Sequence, residues 1–390
     1  MKPFLLMDKS SVHGIGSAHF ELINQYYSHV ISPILLRELV SDLAKQDKKH
    51  SEEGMRGIVS GLSARTDSPF SFFLSDAFKM ACNNLLGVFV PMDGRIPLGN
   101  GIQVNHEKFG KGVFFDEPPE AQLLRRWAQG AFTPEDLKRA KEIRDADSSV
   151  NLESLCLAAS NDLAGLPKFK SLKEMIDWAG KMHFSPENPA QLVLNTIHHL
   201  LPSEVAKRAI FYWKRRGCPE LREFAPYALH FYKVDMIHFL SAYYGFTRKG
   251  KGAKAHLDAQ YLYYLPFCYV FTTGDDDLLT LASFFLRDNQ EYISQSDFQK
   301  DLKGLAAYFS GLTEEEKSAH QWFGRFPPDL PNSFTSRIWK KFMRPQSPQS
   351  GTEKLDPEEE KRVLQMMKSI KEAVEKKQQN QSPSQNPDSL

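Results

Sequence analysis

The sequence is poor in cysteine, in long apolar runs and in net charge, and each shortage argues against a class of protein. Four cysteines occur in 390 residues, and because none forms a C-x-x-C pair, neither a zinc knuckle nor a disulfide scaffold is indicated. Lys and Arg total 49 against 48 Asp and Glu, so no global field steers the protein toward nucleic acid or an anionic membrane. The longest apolar stretch, 261–271, is about half a membrane span.

These shortages set an expectation for where the protein works. Scattered free thiols suit a reducing compartment. The apolar run at the N-terminus, which gives way to Asp8, is too short for the core of a signal peptide. We therefore expect a cytoplasmic protein that does not associate with a membrane.

What is present along the chain indicates an α/β protein with much helix. Phe4–Met7 is a short apolar run typical of a strand buried on both faces, and 267–271 is a second such run. Ser32 and Pro33 predict the start of a helix over 34–45. The polar, glycine-bearing stretch 46–70 predicts a surface loop.

The remaining segments are assigned by the same signals. Glycines and prolines in 88–118 predict irregular or hairpin structure, whereas 117–244 is mostly helical in pattern. Further helices are predicted near 277–287 and 296–310, and another begins at Thr313.

Acidic residues follow both apolar strands. Asp8 comes after the first and Asp275 after the second, and in open α/β sheets ligands bind at the carboxyl ends of strands. Glu38 and Asp42 lie four residues apart and so share a helix face, while Asp258 begins a helix before the second strand. Taken singly, each acid is more often a cap, a turn residue or part of a solvated face.

Taken together, these segments resemble the PIN-domain nucleases. The similarity is carried by the run ending in Asp8-Lys9-Ser10, by the segment Pro33–Leu39 with Glu38, and by the run from Asp258 to Asp275. It is greatest to a large bacterial PIN-like group whose two halves are separated by a long helical insertion. The resemblance implies a metal-dependent endoribonuclease that hydrolyses RNA phosphodiester bonds.

The resemblance also implies a fold class and domain boundaries. We expect an α/β protein with a PIN-like core around a central parallel sheet, a large, mainly helical insertion and a disordered C-terminal tail. The expected division is a discontinuous core at 1–45 and 255–312, an insertion at 46–254, a helical extension at 313–344, and a tail at 345–390 that contains one amphipathic helix.

By the same resemblance, four acids form the site: Asp8, Glu38, Asp258 and Asp275, each as a metal ligand or a group that positions water. Thr273 is the small hydroxyl before the last acid, although Asp276 remains an alternative for that acid. Several carboxylates in one pocket repel one another, and a divalent cation relieves the repulsion. Hard oxygen ligands suit Mg²⁺ or Mn²⁺ better than zinc.

Basic segments offer candidate RNA contacts. Lys249, Lys251 and Lys254 lie in a glycine-rich loop that lacks the P-loop motif but could hold an RNA backbone, and a solvated flexible loop is an equally good interpretation. The run 214–216 is interpreted as an exposed helix face. A non-catalytic PIN-like scaffold that binds RNA or a protein partner remains the alternative function, and the tail is the expected docking element for such a protein partner.

Overall fold

The structure of the protein, a computed structural model, describes most of the chain before residue 344. The described residues are 2–45, 51–68, 71–97, 102–106, 110–114, 118–149, 166–182, 184, 188–246, 257–320 and 326–343, together with residues 361, 365 and 368. The predicted basic loop at 248–254 lies outside them, as does the predicted tail helix apart from those last three residues.

A parallel sheet of five strands forms the centre of the fold. The strands of the described residues are β1 (Phe4–Met7), β2 (Ser28–Ile31), β3 (Ser71–Phe73), β4 (Ile102–His106), β5 (Gly110–Phe114), β6 (Val270–Thr273) and β7 (Glu291–Ser294). The central sheet has the order β3-β2-β1-β6-β7, and each neighbouring pair is parallel. The predicted α/β class with a central parallel sheet is confirmed.

Helices make up most of the remaining described structure. They are α1 (Lys9–Gly14), α2 (Ser17–Tyr26), α3 (Pro33–Leu43), α4 (Glu52–Thr66), α5 (Ala77–Leu85), α6 (Pro119–Ala128), α7 (Pro134–Ser149), α8 (Leu172–Met182), α9 (Pro189–Leu200), α10 (Ser203–Arg215), α11 (Leu221–Phe224), α12 (Pro226–Tyr243), a 3₁₀ helix (Tyr261–Phe267), α13 (Asp276–Ala282), α14 (Gln295–Ser310), α15 (Glu314–His320) and α16 (Phe334–Phe342). α3 packs on α4 and α7, whereas α14 packs on α2 and α16.

The chain divides into two compact units. The first comprises 1–97 and 119–344 and holds the central sheet with its helices. The second comprises 98–118 and 345–390, and its described part includes the antiparallel hairpin of β4 and β5. β3 lies inside the stretch assigned to the insertion, yet it pairs with β2 in the central sheet. The division into core, insertion, extension and tail stays a prediction.

Local signals explain where several elements begin. All four residues of β1 are buried, as its continuous apolar run predicts. Ser32 accepts a hydrogen bond from the backbone nitrogen of Leu35 (3.2 Å), and Pro33 occupies the first turn of α3, which confirms that helix start. Irregular or hairpin structure was predicted for 88–118, and β4 and β5 form a hairpin there.

Two segments differ from the sequence prediction. The stretch 46–70 was predicted as a loop, but it contains α4, which buries Met55, Val59 and Leu62 at helical spacing. The second central strand was predicted over 267–271 and lies at Val270–Thr273, because the preceding run is a fully buried 3₁₀ helix. An apolar run buried on all sides has no periodicity that distinguishes strand from helix.

Candidate active site

The candidate site lies where the order of the central sheet reverses. From β1 the chain proceeds to β2 on one side and then β3, whereas β6 and β7 extend the sheet on the other side. Met7 pairs with Thr272, so Asp8 and Thr273 are the next residues on two adjacent parallel strands. In open α/β sheets such a switch point forms a crevice at the carboxyl ends of the strands, and ligands bind there.

Asp8 is buried at this edge and accepts three hydrogen bonds. It caps α1, since Oδ1 accepts from the backbone nitrogen of Ser11 at 2.8 Å. Its Oδ2 accepts from the hydroxyls of Ser10 at 2.6 Å and Thr273 at 2.8 Å. Only 4% of Asp8 is exposed. The cap that the sequence offered as one interpretation of Asp8 is confirmed, and its role as a site residue stays a prediction.

The loop after β6 is fastened to α1 by Thr273 and Gly274. The Thr273 hydroxyl donates to Asp8 and accepts from the backbone nitrogen of Asp275 at 3.0 Å. The Gly274 nitrogen donates to the Ser10 hydroxyl at 2.9 Å. A Cβ at Gly274 would lie 2.5 Å from Gln295 Oε1 and 2.9 Å from Ser10 Oγ, so these two side chains would have to move if Gly274 were replaced. Thr273 thus positions Asp8 across the switch point.

Glu38 approaches the same region from α3. It is 6% exposed, and its Oε2 accepts a hydrogen bond of 2.6 Å from the Tyr261 hydroxyl. The Lys9 ammonium lies 3.3 Å from Glu38 Oε1 and 3.1 Å from Asp42 Oδ2. The four-residue spacing predicted that Glu38 and Asp42 share a helix face, and their common contact with Lys9 confirms it.

The electrostatics couple these groups. Burial raises the pKa of Glu38, the nearby Asp8 carboxylate adds to the increase, and Lys9 and Tyr261 oppose it. Burial works against the charge on Lys9, but the Glu38 and Asp42 carboxylates outweigh it and raise the pKa of Lys9. Lys9 is therefore the cation that compensates the buried acids here.

The other two predicted acids lie at the start of other elements, Asp275 before α13 and Asp258 before the 3₁₀ helix. Asp275 caps α13, and its Oδ1 accepts from the backbone nitrogens of Asp277 at 2.9 Å and Leu278 at 3.2 Å. Asp276 is exposed in the first turn of that helix. Asp258 is half-buried in a helical segment at 257–260, directly before Tyr261. Asp275 is linked to Asp8 through Thr273.

The donor chemistry of this edge suits a hard cation only in part. Its groups are carboxylate and hydroxyl oxygens, the ligands that Mg²⁺ and Mn²⁺ prefer. Among the described residues, however, no group of three or more His, Cys, Asp or Glu is arranged to hold a metal ion. Both oxygens of Glu38 are already engaged, one by Lys9 and one by Tyr261. The four-carboxylate metal site stays a prediction.

Three residues that contact the predicted acids were not predicted as site residues: Lys9, Ser10 and Tyr261. The first two stand within the Asp8-Lys9-Ser10 run, so adjacency to Asp8 was a usable signal. The sequence interpretation of Tyr261 as a core residue agrees with its exposure of 1%. Its hydroxyl also donates a hydrogen bond to Glu38, which that interpretation did not include. Lys249, Lys251 and Lys254 lie outside the described residues.

Two further findings bear on function. Within the described part of the chain, every helix is too short or too polar to cross a membrane. Comparisons of this chain with protein-family models, with curated proteins and with solved structures found no match.

Proposed function

We propose that this protein is a metal-dependent endoribonuclease that hydrolyses RNA phosphodiester bonds at the switch point of its central sheet. The observation that supports this most is that Asp8, at the carboxyl end of β1, and Glu38, on α3, are both buried, and that the Asp8 carboxylate contributes to the raised pKa of Glu38. Buried acids are costly to keep charged unless they are paired, and acids with shifted pKa values concentrate at sites that do chemistry.

The proposal assigns roles to residues of this chain. Asp8 and Glu38 would hold Mg²⁺ or Mn²⁺, with Asp258 and Asp275 as the further acids of the site. When bound, such an ion polarises a phosphate and lowers the pKa of water. Thr273 and Ser10 keep Asp8 oriented through their hydrogen bonds, so the carboxylate is fixed before RNA arrives. Lys249, Lys251 and Lys254 would contact the RNA backbone.

Lys9 supports a second candidate function. Its ammonium lies within ion-pair distance of both Glu38 and Asp42, as expected of a structural ion-pair network. That arrangement favours a non-catalytic scaffold that binds RNA or a protein partner. In the nuclease, by contrast, Lys9 has to release Glu38 or turn its charge toward the RNA phosphate when a metal ion is bound.

The setting of the activity belongs to the same proposal. Cys82, Cys218 and Cys268 are free thiols, which suits a reducing cytoplasm. RNA is the proposed substrate, and the segment 345–390 is the proposed docking element for a protein partner.

Incubation with a circular single-stranded RNA tests the proposal. An endonuclease converts the circle into linear products, whereas an exonuclease has no end to attack. We expect conversion with Mg²⁺ or Mn²⁺ and none with excess EDTA. A circle that stays intact with both ions, in a preparation that binds the same RNA, would favour the scaffold instead.

A further inference from the structure

The exposed face of α10 carries one phenylalanine with two cationic side chains before it and two after it. Phe211 is 63% exposed, which is unusual for so large an apolar side chain. Lys207 and Arg208 lie one turn before it on the same face, and Lys214 and Arg215 lie one turn after it. The opposite face of α10 is buried through Ala206, Ala209 and Trp213, so core packing does not require Phe211 to be aromatic.

Most of these cations lack an acidic partner. Lys207 pairs with Glu204 at 2.7 Å. Within the part of the chain that the structure describes, Arg208, Lys214 and Arg215 form no ion pair. Arg216, directly after the helix, is also exposed. The face therefore presents uncompensated positive charge although the whole chain is nearly neutral.

The arginines are placed next to aromatic rings. The guanidinium carbon of Arg215 lies 5.8 Å from the Phe211 ring centroid, and that of Arg216 lies 5.9 Å from the Tyr212 ring centroid. A guanidinium held in this way can bind a phosphate while the exposed ring offers a stacking surface.

A second exposed phenylalanine, Phe89, lies two residues after a backbone position that contacts α10. Gly87 has φ +93°, and a Cβ there would lie 2.6 Å from the Tyr212 ring, so this backbone presses against the helix. The next two residues, Val88 and Phe89, are 53% and 73% exposed. The guanidinium carbon of Arg95, a residue that also pairs with Asp93 at 2.8 Å, lies 6.0 Å from the Phe89 ring centroid. The pairing of an exposed ring with an arginine is thus repeated.

We propose that this surface, termed the α10 face and comprising Lys207, Arg208, Phe211 and residues 214–216 together with Phe89, binds single-stranded RNA. Bases would stack on the phenylalanine rings and the backbone phosphates would contact the cations, a combination that binds single strands with little sequence preference. A membrane fits less well, because the apolar side of α10 is buried and offers no continuous surface to insert. The inference goes beyond the proposed activity, since binding here requires no cleavage.

Fluorescence anisotropy with a labelled oligoadenylate of about 12 nucleotides tests the inference on the full chain. Measurements in EDTA keep the RNA intact whether or not the protein is a nuclease. Replacing Lys214, Arg215 and Arg216 by Ala should weaken binding and lower the slope of log affinity against log salt by about 2. The matched control replaces Lys138, Arg139 and Lys141 by Ala, three exposed cations of α7, and should leave the slope near that of the wild type.

Phe211 variants separate base stacking from general apolar contact. Phe211→Ala should weaken RNA binding roughly 5- to 150-fold, and Phe211→Leu should weaken it nearly as much. Phe211→Trp keeps an aromatic ring and should bind RNA like the wild type. Tyr292→Ala, which removes another exposed ring, serves as the control. The inference fails if the α7 control weakens binding as much as the α10 substitutions, or if Phe211→Leu binds like the wild type. The latter result would indicate an apolar protein contact at this face.

Discussion

The contacts of Lys9 bear differently on the two proposed functions, the nuclease and the non-catalytic scaffold. Its Nζ lies 3.3 Å from Glu38 and 3.1 Å from Asp42, so it already supplies the positive charge that a metal ion would supply. A nuclease has to exchange one cation for the other, whereas a scaffold keeps the lysine. The side chain that follows Asp8 is therefore as informative as the acids themselves.

Lys9→Met tests this exchange, because methionine keeps an apolar stem of similar length and removes only the ammonium. If Glu38 is a metal ligand, the variant should bind Mn²⁺ about tenfold more tightly, which corresponds to about 1.4 kcal/mol. Isothermal titration calorimetry gives the affinity, with Lys79→Met as an exposed control on α5. Equal affinities in wild type and Lys9→Met would argue that Glu38 does not ligate the metal.

Thr273 carries a second prediction at the residue scale. The residue is 1% exposed, and its hydroxyl donates to Asp8 and accepts from the Asp275 nitrogen. Thr273→Val leaves both partners short of a hydrogen bond and should lower the free energy of unfolding by about 1–3 kcal/mol. Thr273→Ser keeps the hydroxyl and should cost clearly less. Urea denaturation of the two variants measures the difference, and equal losses would show that packing of the methyl group dominates.

At the scale of elements, α4 shows what local sequence signals miss. Gly54, Gly57 and Gly61 weaken the helical propensity of this stretch, which is why it was predicted as a loop. Burial of Met55, Val59 and Leu62 against the core outweighs that loss. The glycines are exposed, and a Cβ at Gly57 or Gly61 would meet nothing within 4 Å.

Gly57→Ala and Gly61→Ala should therefore each stabilise the protein by about 0.5–1 kcal/mol. The opposite result is expected for Gly87→Ala, because Gly87 has a positive φ and lies against Tyr212. Chemical denaturation of the three variants provides the measurement. Destabilisation by Gly61→Ala would mean that α4 has a neighbour on its exposed side.

The sequence was sufficient for elements with strong local signals and insufficient for those set by tertiary contacts. The cap at Ser32 and the apolar run of β1 define their elements without help from distant residues. β3 and β7 are short and partly exposed, and only pairing with β2 and β6 makes them strands. Asp8 was identifiable at its strand end, but the contact of Tyr261 with Glu38 joins residues 223 positions apart and leaves no local signal.

At the scale of the whole molecule, the buried His29 and the half-buried His230 link the fold to pH. Burial lowers the pKa of His29 to about 4, with a smaller contribution from Lys2. Burial likewise lowers the pKa of His230 to about 4, against a hydrogen bond to the Leu262 carbonyl that favours the charged form. The unfolded chain takes up these protons near pH 6.5, so between pH 6.5 and 4 it binds more protons than the native state. Stability is therefore lost as the pH falls through that window.

Each histidine should cost about 2 kcal/mol of stability at pH 5 relative to neutral pH. His29→Leu removes one of the two groups, so the loss between pH 7.5 and pH 5 should be smaller by about that amount than in the wild type. Other titrating groups, Glu38 included, are common to both proteins and cancel in the comparison. Urea unfolding at the two pH values tests the prediction, with the exposed His13→Gln as control. An unchanged pH dependence in His29→Leu would show that His29 does not control acid stability.

In the proposed nuclease Asp8 and Glu38 act as one catalytic unit, and single-turnover cleavage of RNA by four proteins measures whether they do. These are the wild type, Asp8→Asn, Glu38→Gln and the double variant, each measured in Mg²⁺ and in Mn²⁺. Asn is as good a helix cap as Asp, so Asp8→Asn should stay folded. Each single variant should lose about 100-fold or more in rate, and the double variant should lose little beyond that, because residues that act as a unit are not additive. Asp329→Asn, at an exposed acid, should cleave like the wild type. A folded Asp8→Asn variant that cleaves RNA at the wild-type rate with both ions would show that Asp8 is not part of a catalytic site.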